Sequence, residues 1–263
     1  MERVIQDQLG RTLEIPKNLY RIVSLVPSQT ELLIDLGLEN RLVGITKFCV
    51  HPANLSKTKT VVGGTKTVHY EKIADLQPDI ILCNKEENTK EIVATLEKKH
   101  RVHVSNITNL EDSLKLIKQY GELFQCNERA KEINATIVTE AKTFATYVKD
   151  TPKLNVLYFI WKDPWMSVGK DTFIHHMLTL NGFINLMSEK ERYPEVRVNK
   201  LSKISPDLIL LSSEPFPFKE KHKEEIQLLC PDAEVLLVNG AYFSWYGSRL
   251  QKAFQYFKSL HKA

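Results

Sequence analysis

Apolar positions fall in two rhythms along this chain, and the rhythms take turns. Short aliphatic runs such as "RLVGIT", "DIILC" and "RVHVSN" read as strands. Between them, "KEIVATLEKKH" and "NLEDSLKLIKQYGELF" carry apolar residues three and four apart, the spacing of a helix that buries one face. The stretch "RIVSLVPSQTELLIDLGL" predicts a buried strand from Ile22 to Val26, a break at Pro27 and a helix opening at Ser28. Ser28 and Glu31 form a predicted capping box, and Gly37 closes the helix. Strands alternating with helices predict a mostly parallel sheet covered on both faces, an α/β fold.

From Asn127 to Asp150 no Gly or Pro interrupts the chain for 24 residues. Ala130, Ile133, Ile137, Ala141, Phe144 and Val148 mark one face, which predicts a single long helix ended by Pro152. The strand and helix rhythm then restarts with "KLNVLYFI", the loop "WKDPWMSVGK" and the helix "DTFIHHMLTLNGF". Strand "EVLLVN", the aromatic loop "GAYFSWYGSR" and the helix "SRLQKAFQYFKSL" finish it. The predicted organisation is an N-terminal α/β lobe over 1–126, a connecting helix over 127–150 and a C-terminal α/β lobe over 151–263.

One sentence is printed twice: "EKIADLQPDIILCNKEEN" at Glu71–Asn88 and "NKLSKISPDLILLSSEPF" at Asn199–Phe216. Each copy runs an amphipathic segment into a Pro-Asp pair and then into four aliphatic residues. Pro ends the helix, and Asp can bond nearby backbone as the chain enters the strand. Two Rossmann-like lobes follow, and because open parallel sheets bind ligands beyond the carboxyl ends of their strands, a ligand cleft between the lobes is expected.

Composition narrows the classes. Over 263 residues, 43% hydrophobic and 26% charged content is that of a globular chain with a core. The net charge of +4 is spread without a basic block, which argues against nucleic acid as partner. No apolar run reaches the roughly 18 residues of a membrane helix. The opening "MERVIQDQLGRTLEIP" alternates like a strand and lacks the apolar core of a signal peptide, so either the chain stays in the cytoplasm or an export segment has been removed or replaced. Cys49, Cys83, Cys126 and Cys230 show no C-x-x-C spacing, hence neither a zinc ribbon nor a disulfide framework.

Taken in order, "DQLGRTLEIP", "RIVSLVPSQTELLIDLGL", "LVGITKFCVHP", "VGGTKTVHYEKIADLQPDIIL", the long helix, "LSKISPDLILLSSEPF" and "YFSWYGSR" resemble the helical-backbone (class III) periplasmic substrate-binding proteins of ABC importers, and most closely the cobalamin-binding branch. The resemblance implies a monomeric receptor without catalysis that hands cobalamin, or a related metal-tetrapyrrole, to a permease and its ATPase from outside the cytoplasm. Ferric siderophore or haem is the alternative cargo on the same fold.

A corrinoid disc asks for aromatic surface and a few donors. Tyr242, Trp245 and Tyr246 crowd one short loop, against the alternative that Phe243 and Trp245 plug the core; Trp161 and Trp165 either line the cleft or pack under their loop. Gly63 and Gly64 allow close backbone approach, and His69 stands at the cleft edge. The resemblance places His51 beside the ligand, where an imidazole nitrogen could ligate cobalt or iron. Arg249 is the one well-placed cation for an anionic siderophore. The family's lobes each dock on the permease through a surface glutamate, which implies Glu71 and Glu214 here.

Rival readings stay open. A bare divalent-metal site needs converging ligands, and the neighbours His175 and His176 lie about 100° apart on a helix. Catalysis of a chelatase kind has only Cys49 and His51 as a compact pair, on opposite faces if extended. A cytoplasmic tetrapyrrole carrier or sensor is the third.

Overall fold

The computed structural model describes residues 2–261. The chain forms two compact units: one holds the residues up to Ile137 together with Tyr246–Gln251, the other Val138–Trp245 together with the segment from Lys252.

The first unit opens with a hairpin, β1 (Glu2–Gln6) and β2 (Thr12–Pro16), paired antiparallel. Its turn is organised by Asp7, whose carboxylate accepts from the backbone of Leu9 and Arg11 and from the Arg11 guanidinium. There follow β3 (Ile22–Ser24), α1 (Pro27–Asp35), β4 (Leu42–Ile45), α2 (Leu55–Thr58), β5 (Thr60–Val61) and α3 (Tyr70–Asp75). Then come β6 (Ile80–Asn84), α4 (Lys90–Glu97), β7 (Val102–Ser105) and α5 (Leu110–Phe124). The five strands β3 to β7 form one parallel sheet in the order β5-β4-β3-β6-β7. All five residues of β6 are buried, as a strand covered on both faces requires.

The long helix α6 (Asn127–Val148) is unbroken, and the division between units falls within it. Ala130, Ile133, Ile137 and Phe144 of its expected apolar face are buried. Gly121 of α5 lets the two helices meet, since a Cβ there would lie 2.6 Å from the Ala130 Cβ.

The second unit continues with β8 (Asn155–Phe159), α7 (Phe173–Leu180), β9 (Ile184–Asn185), α8 (Leu201–Ile204), β10 (Leu208–Ser212), α9 (Glu220–Leu229), β11 (Glu234–Val238), α10 (Ala241–Ser244) and α11 (Leu250–Leu260). Its sheet is parallel, in the order β11-β10-β8-β9. One core contains Leu157, Phe159, Ile209, Leu211 and Val235 with Trp165 and Phe218. On Tyr158 the Phe243 ring lies at 5.0 Å, and Phe257 follows at 4.8 Å from Phe243.

The printed repeat is a repeat in space. Asp79 Oδ2 accepts from the backbone N–H of Tyr20 and Arg21 at 2.7 and 2.9 Å, ahead of β3. Asp207 Oδ2 accepts from the Asn155 N–H at 2.7 Å, at the start of β8. In each unit the Pro-Asp carboxylate therefore pins the amino end of the strand beside it. The residue before each proline is left-handed, Gln77 at φ 43° and Ser205 at φ 50°.

Two local expectations change, and one helix adds to what was expected. Pro27 occupies the first turn of α1, whose N-cap is Val26 and carries no side-chain cap bond, so the Ser28–Glu31 capping box does not form. Proline fits there because that N–H has no helical partner. Gly37, at φ +80°, does end the helix, with Gly37 N–H bonded to Ile34 O and Leu38 N–H to Leu33 O. The stretch expected as an aromatic loop contains the short helix α10. And α9, whose polar sequence "EKHKEEIQLL" buries only His222 and Ile226, has no strong apolar stripe to announce it.

Candidate ligand-binding site

Strand order locates the chemistry. In the first sheet the chain runs from β3 outward through β4 and β5, then returns to lay β6 on the other side of β3. In the second it runs from β8 to β9 and returns to lay β10 beside β8. Each sheet thus reverses order between two neighbouring strands, and ligand crevices in open α/β sheets open at the carboxyl ends of such a pair.

In the first unit the exit of β4 is the loop Thr46–Pro52. The Cys49 thiol donates to Thr30 Oγ1 at 3.2 Å and lies 3.3 Å from Thr46 Oγ1, which buries Cys49 and leaves Phe48, Val50 and His51 exposed. Burial pushes the Cys49 thiol above its usual range, so it does not supply a thiolate near neutral pH. The exit of β5 is the turn from Gly63 to Val68. Gly63 sits at φ +125°, where a Cβ would lie 2.6 Å from Thr67 O, and Gly64 leaves room for the Phe48 ring, 3.1 Å from where its Cβ would be. Both glycines therefore have geometric duties within the turn. His69 is exposed at the N-cap of α3 without a side-chain cap bond, and Glu71 is exposed in the first turn of that helix.

Across the order reversal, Asn88 ties three exits together. Its Oδ1 accepts from Asn84 N–H at 2.9 Å, and its Nδ2 donates to Leu25 O at 3.3 Å and to Thr65 O at 2.9 Å. Beneath lies a buried polar network. Gln29 Nε2 donates to Ser105 Oγ at 2.6 Å and to Tyr246 Oη at 2.9 Å, while Tyr120 Oη donates to Gln29 Oε1 at 2.6 Å. Tyr246 is thus built into its unit, and burial raises its hydroxyl pKa. Arg249 grips Glu31 through both oxygens, at 2.9 and 2.7 Å, and is 8% exposed. The charge of Arg249 is matched by that carboxylate.

In the second unit the exits of β8 and β10 face each other across the reversal. Trp161, 40% exposed, meets Phe216 edge to face at 5.7 Å, and Phe216 N–H donates to Ile160 O at 3.2 Å. Trp165 is a core residue: it stacks on Phe218 at 5.4 Å and meets Phe159 edge-on at 5.1 Å, the arrangement of packing under the loop. Tyr242 stacks on Tyr256 at 4.5 Å and is half-buried. Trp245 is 7% exposed, and its Nε1–H donates to Glu214 Oε1 at 2.8 Å. Glu214 itself is half-buried.

Among the described residues no group of three or more His, Cys, Asp and Glu side chains gathers as a metal site. His175 Nδ1 instead lies 3.0 Å from Asn185 Nδ2. Asn88 and Phe216 were not singled out by sequence reasoning. The signal that finds them is the reversal of strand order, which needs the sheet rather than the sequence.

The family description "Periplasmic binding protein" matches residues 22–229. The chain belongs to that family. The substrate-binding lipoprotein YvrC of Bacillus subtilis, an uncharacterized ABC transporter component, is 26% identical over 215 residues, 78% of this chain and 68% of its own. The vitamin B12-binding protein of Vibrio cholerae is 21% identical over 197 residues, 73% and 70% of the two chains. The crystal structure of the Vibrio cholerae periplasmic vitamin B12-binding protein superposes with a TM-score of 0.79 at 19% identity, covering 94% of this chain and all of that one. A periplasmic haem-binding protein from Pseudomonas aeruginosa gives 0.81 at 21% identity, over 92% of each chain. These likenesses establish the fold with its long helix. The matched family is one of binding proteins rather than enzymes. No helix among the described residues is long and apolar enough to cross a membrane.

Proposed function

We propose that this binding protein captures cobalamin or a closely related metal-tetrapyrrole outside the cytoplasm and delivers it to an ABC permease. The observation that carries the reading is the apolar surface at the strand exits: Phe48, 49% exposed, and Val50 in the first unit, and Trp161, 40% exposed, against the half-buried Phe216 in the second. Exposed aromatic groups at the carboxyl ends of parallel strands suit the faces of a flat macrocycle. Vitamin B12-binding proteins among the relatives support the same class of cargo.

The choice against an anionic ferric siderophore rests on Arg249. Its guanidinium is held bidentate by Glu31, so it presents no net positive charge to an anionic chelate. His51, exposed at the exit of β4, is the proposed axial donor to the metal. Glu71, exposed in the first turn of α3, is the proposed permease-docking acid; rim charges of this kind set orientation and encounter rate more than affinity.

Titration of the purified protein with cyanocobalamin, haemin and a ferric siderophore, read by heat and visible absorbance, tests the cargo. The reading predicts saturable one-to-one binding of cyanocobalamin, weakened roughly tenfold in Trp161→Ala, about 1.4 kcal/mol. A siderophore bound more tightly than either macrocycle overturns it. A cobalt-band shift that disappears in His51→Ala identifies the axial donor. Glu71→Lys should leave cargo affinity unchanged and abolish stimulation of the cognate transporter's ATPase.

A further inference from the structure

The repeat at Glu71–Asn88 and Asn199–Phe216 can be followed residue by residue, because Pro78 and Pro206 stand 128 positions apart. At that offset Ile73 answers Leu201, both fully buried, and Gln77 answers Ser205, both left-handed. One helical turn is therefore built twice, and its exposed charges can be compared. In the first unit it carries Glu71, Lys72 and Asp75; in the second it carries Asn199, Lys200 and Lys203. Just ahead of it, His69 gives way to Arg197. The register thus sets Asn199, and not Glu214, opposite Glu71, in surroundings of reversed sign.

Beside these cations the second unit has an open cavity of about 280 Å³. Its apolar wall is formed by Met187, Val196 and Ile204, which belong to the core around Leu157 and Ile209 or pack against it. Arg197, Lys200 and Lys203 also line it and are exposed, and Glu195 is the one acid among the described lining residues. Cations shortly before this stretch are answered, Lys170 by Glu191 at 3.6 Å and Arg192 by Asp171 at 3.8 Å. Among the described residues no ion pair takes up Arg197, Lys200 or Lys203.

We propose that this cavity is a docking site for an acidic protein segment that carries one apolar anchor side chain. Charge complementarity selects the acids, and the recessed apolar wall selects the anchor. The occupant is a protein rather than an anionic membrane surface. Insertion into lipid asks for apolar groups that protrude, whereas here Val196 is 7% exposed and the exposed groups are the cations. The proposal rests on the functional reading above for one clause, that the segment belongs to the permease. On that reading Glu71 meets basic groups and the second unit meets acidic ones, and a receptor with opposite charges on its two units docks in one orientation.

A proton–nitrogen correlation spectrum of the full chain, titrated with an acetylated and amidated pentapeptide of leucine between two pairs of aspartates, tests the site. Saturable shifts are expected at residues 195–204. The double variant Lys200→Glu, Lys203→Glu should weaken the peptide at least tenfold, with its dispersed spectrum and melting temperature as the control for folding. Replacing the leucine by glycine should weaken it at least threefold. Absence of shifts at those residues, or a glycine peptide bound as tightly as the leucine one, overturns the proposal. So does recruitment to phosphatidylglycerol vesicles that the double variant abolishes while the pentapeptide moves no signal, since the occupant is then a lipid surface.

The source of the segment is read separately. The double variant should lower stimulation of the cognate transporter's ATPase at least tenfold, and unchanged stimulation overturns the assignment to the permease. The functional reading fails on its own terms, when wild-type protein binds the pentapeptide and yet binds neither cyanocobalamin nor haemin.

Discussion

The two units share a chassis and differ at the rim. At the amino ends of their sheets the same Pro-Asp device appears, with Asp79 and Asp207 holding the start of β3 and β8. At the carboxyl ends nothing matches. The first unit closes its strand exits with amides and hydroxyls, Asn88, Gln29, Tyr120 and Ser105, and with glycines that keep the turn tight. The second closes them with aromatic rings and one carboxylate. Folding fixes the amino-end device, because each strand must be registered against its neighbour. The exits carry no such obligation and are free to differ in what they present.

The sharpest way to break this comparison is to remove the acid at each rim. Glu31 answers a guanidinium that is 8% exposed, while Glu214 answers an indole and a hydroxyl. Glu31→Ala strands a charge, for which buried pairs suggest a loss of about 3–5 kcal/mol, whereas Glu214→Ala strands neutral donors and should cost about 1–3 kcal/mol. Urea denaturation of the two variants checks the order. Equal losses would mean that the ion pair is far better hydrated than its geometry implies. Glu31→Gln sharpens the functional side: with its counter-charge removed, Arg249 should raise affinity for an anionic ferric siderophore, read by the same titrations.

A smaller effect separates the two chassis copies. Asp79 is half-buried and takes two backbone donors, and Asp207 is exposed and takes one. Asp79→Ala should therefore cost about 1–2 kcal/mol and Asp207→Ala less than about 1 kcal/mol, measured by thermal melting. Identical shifts would indicate that the carboxylates act through charge rather than through the bonds they accept.

Much of the chassis can be read from the chain. The strands and the long helix at Asn127–Val148 follow from periodicity, because that is local. The Pro-Asp carboxylates, expected to bond nearby backbone, instead accept from Tyr20 and Asn155, 59 and 52 positions away. The N-cap of α1 lies two residues before the expected Ser28: Ser28 and Glu31 have the right spacing for a capping box, while a tertiary partner, Arg249, claims the Glu31 carboxylate from 218 residues away. Aromatic residues were legible as a cluster and not as individuals: "GAYFSWYGSR" does not distinguish Phe243, buried against Tyr158, from Tyr242, half-buried on Tyr256. Asn88 and Phe216 depend on which strands become neighbours, and that information appears only when the sheet closes.

The last prediction uses pH, again to compare the units. His103 lies in β7, fully buried, with Nε2 3.1 Å from Gln119 Oε1 and its ring edge-to-face with Tyr120 at 5.5 Å. Burial holds its pKa below the usual imidazole range, with Gln119 and the Asp7 charge opposing that shift and the Arg11 charge adding to it. Above about pH 6.5 the ring is neutral folded or unfolded, and His103 contributes no pH dependence. Below that value the unfolded chain binds a proton that the folded chain refuses, so stability falls as pH drops toward the folded pKa. His175 of the second unit is lowered for the same reason but is half-buried and bonded to Asn185, so its share is the smaller. Melting curves from pH 7.5 to 5.0 should show His103→Gln flattening the acid loss more than His175→Gln does. A wild-type slope unchanged by His103→Gln would show that this ring does not carry the acid sensitivity.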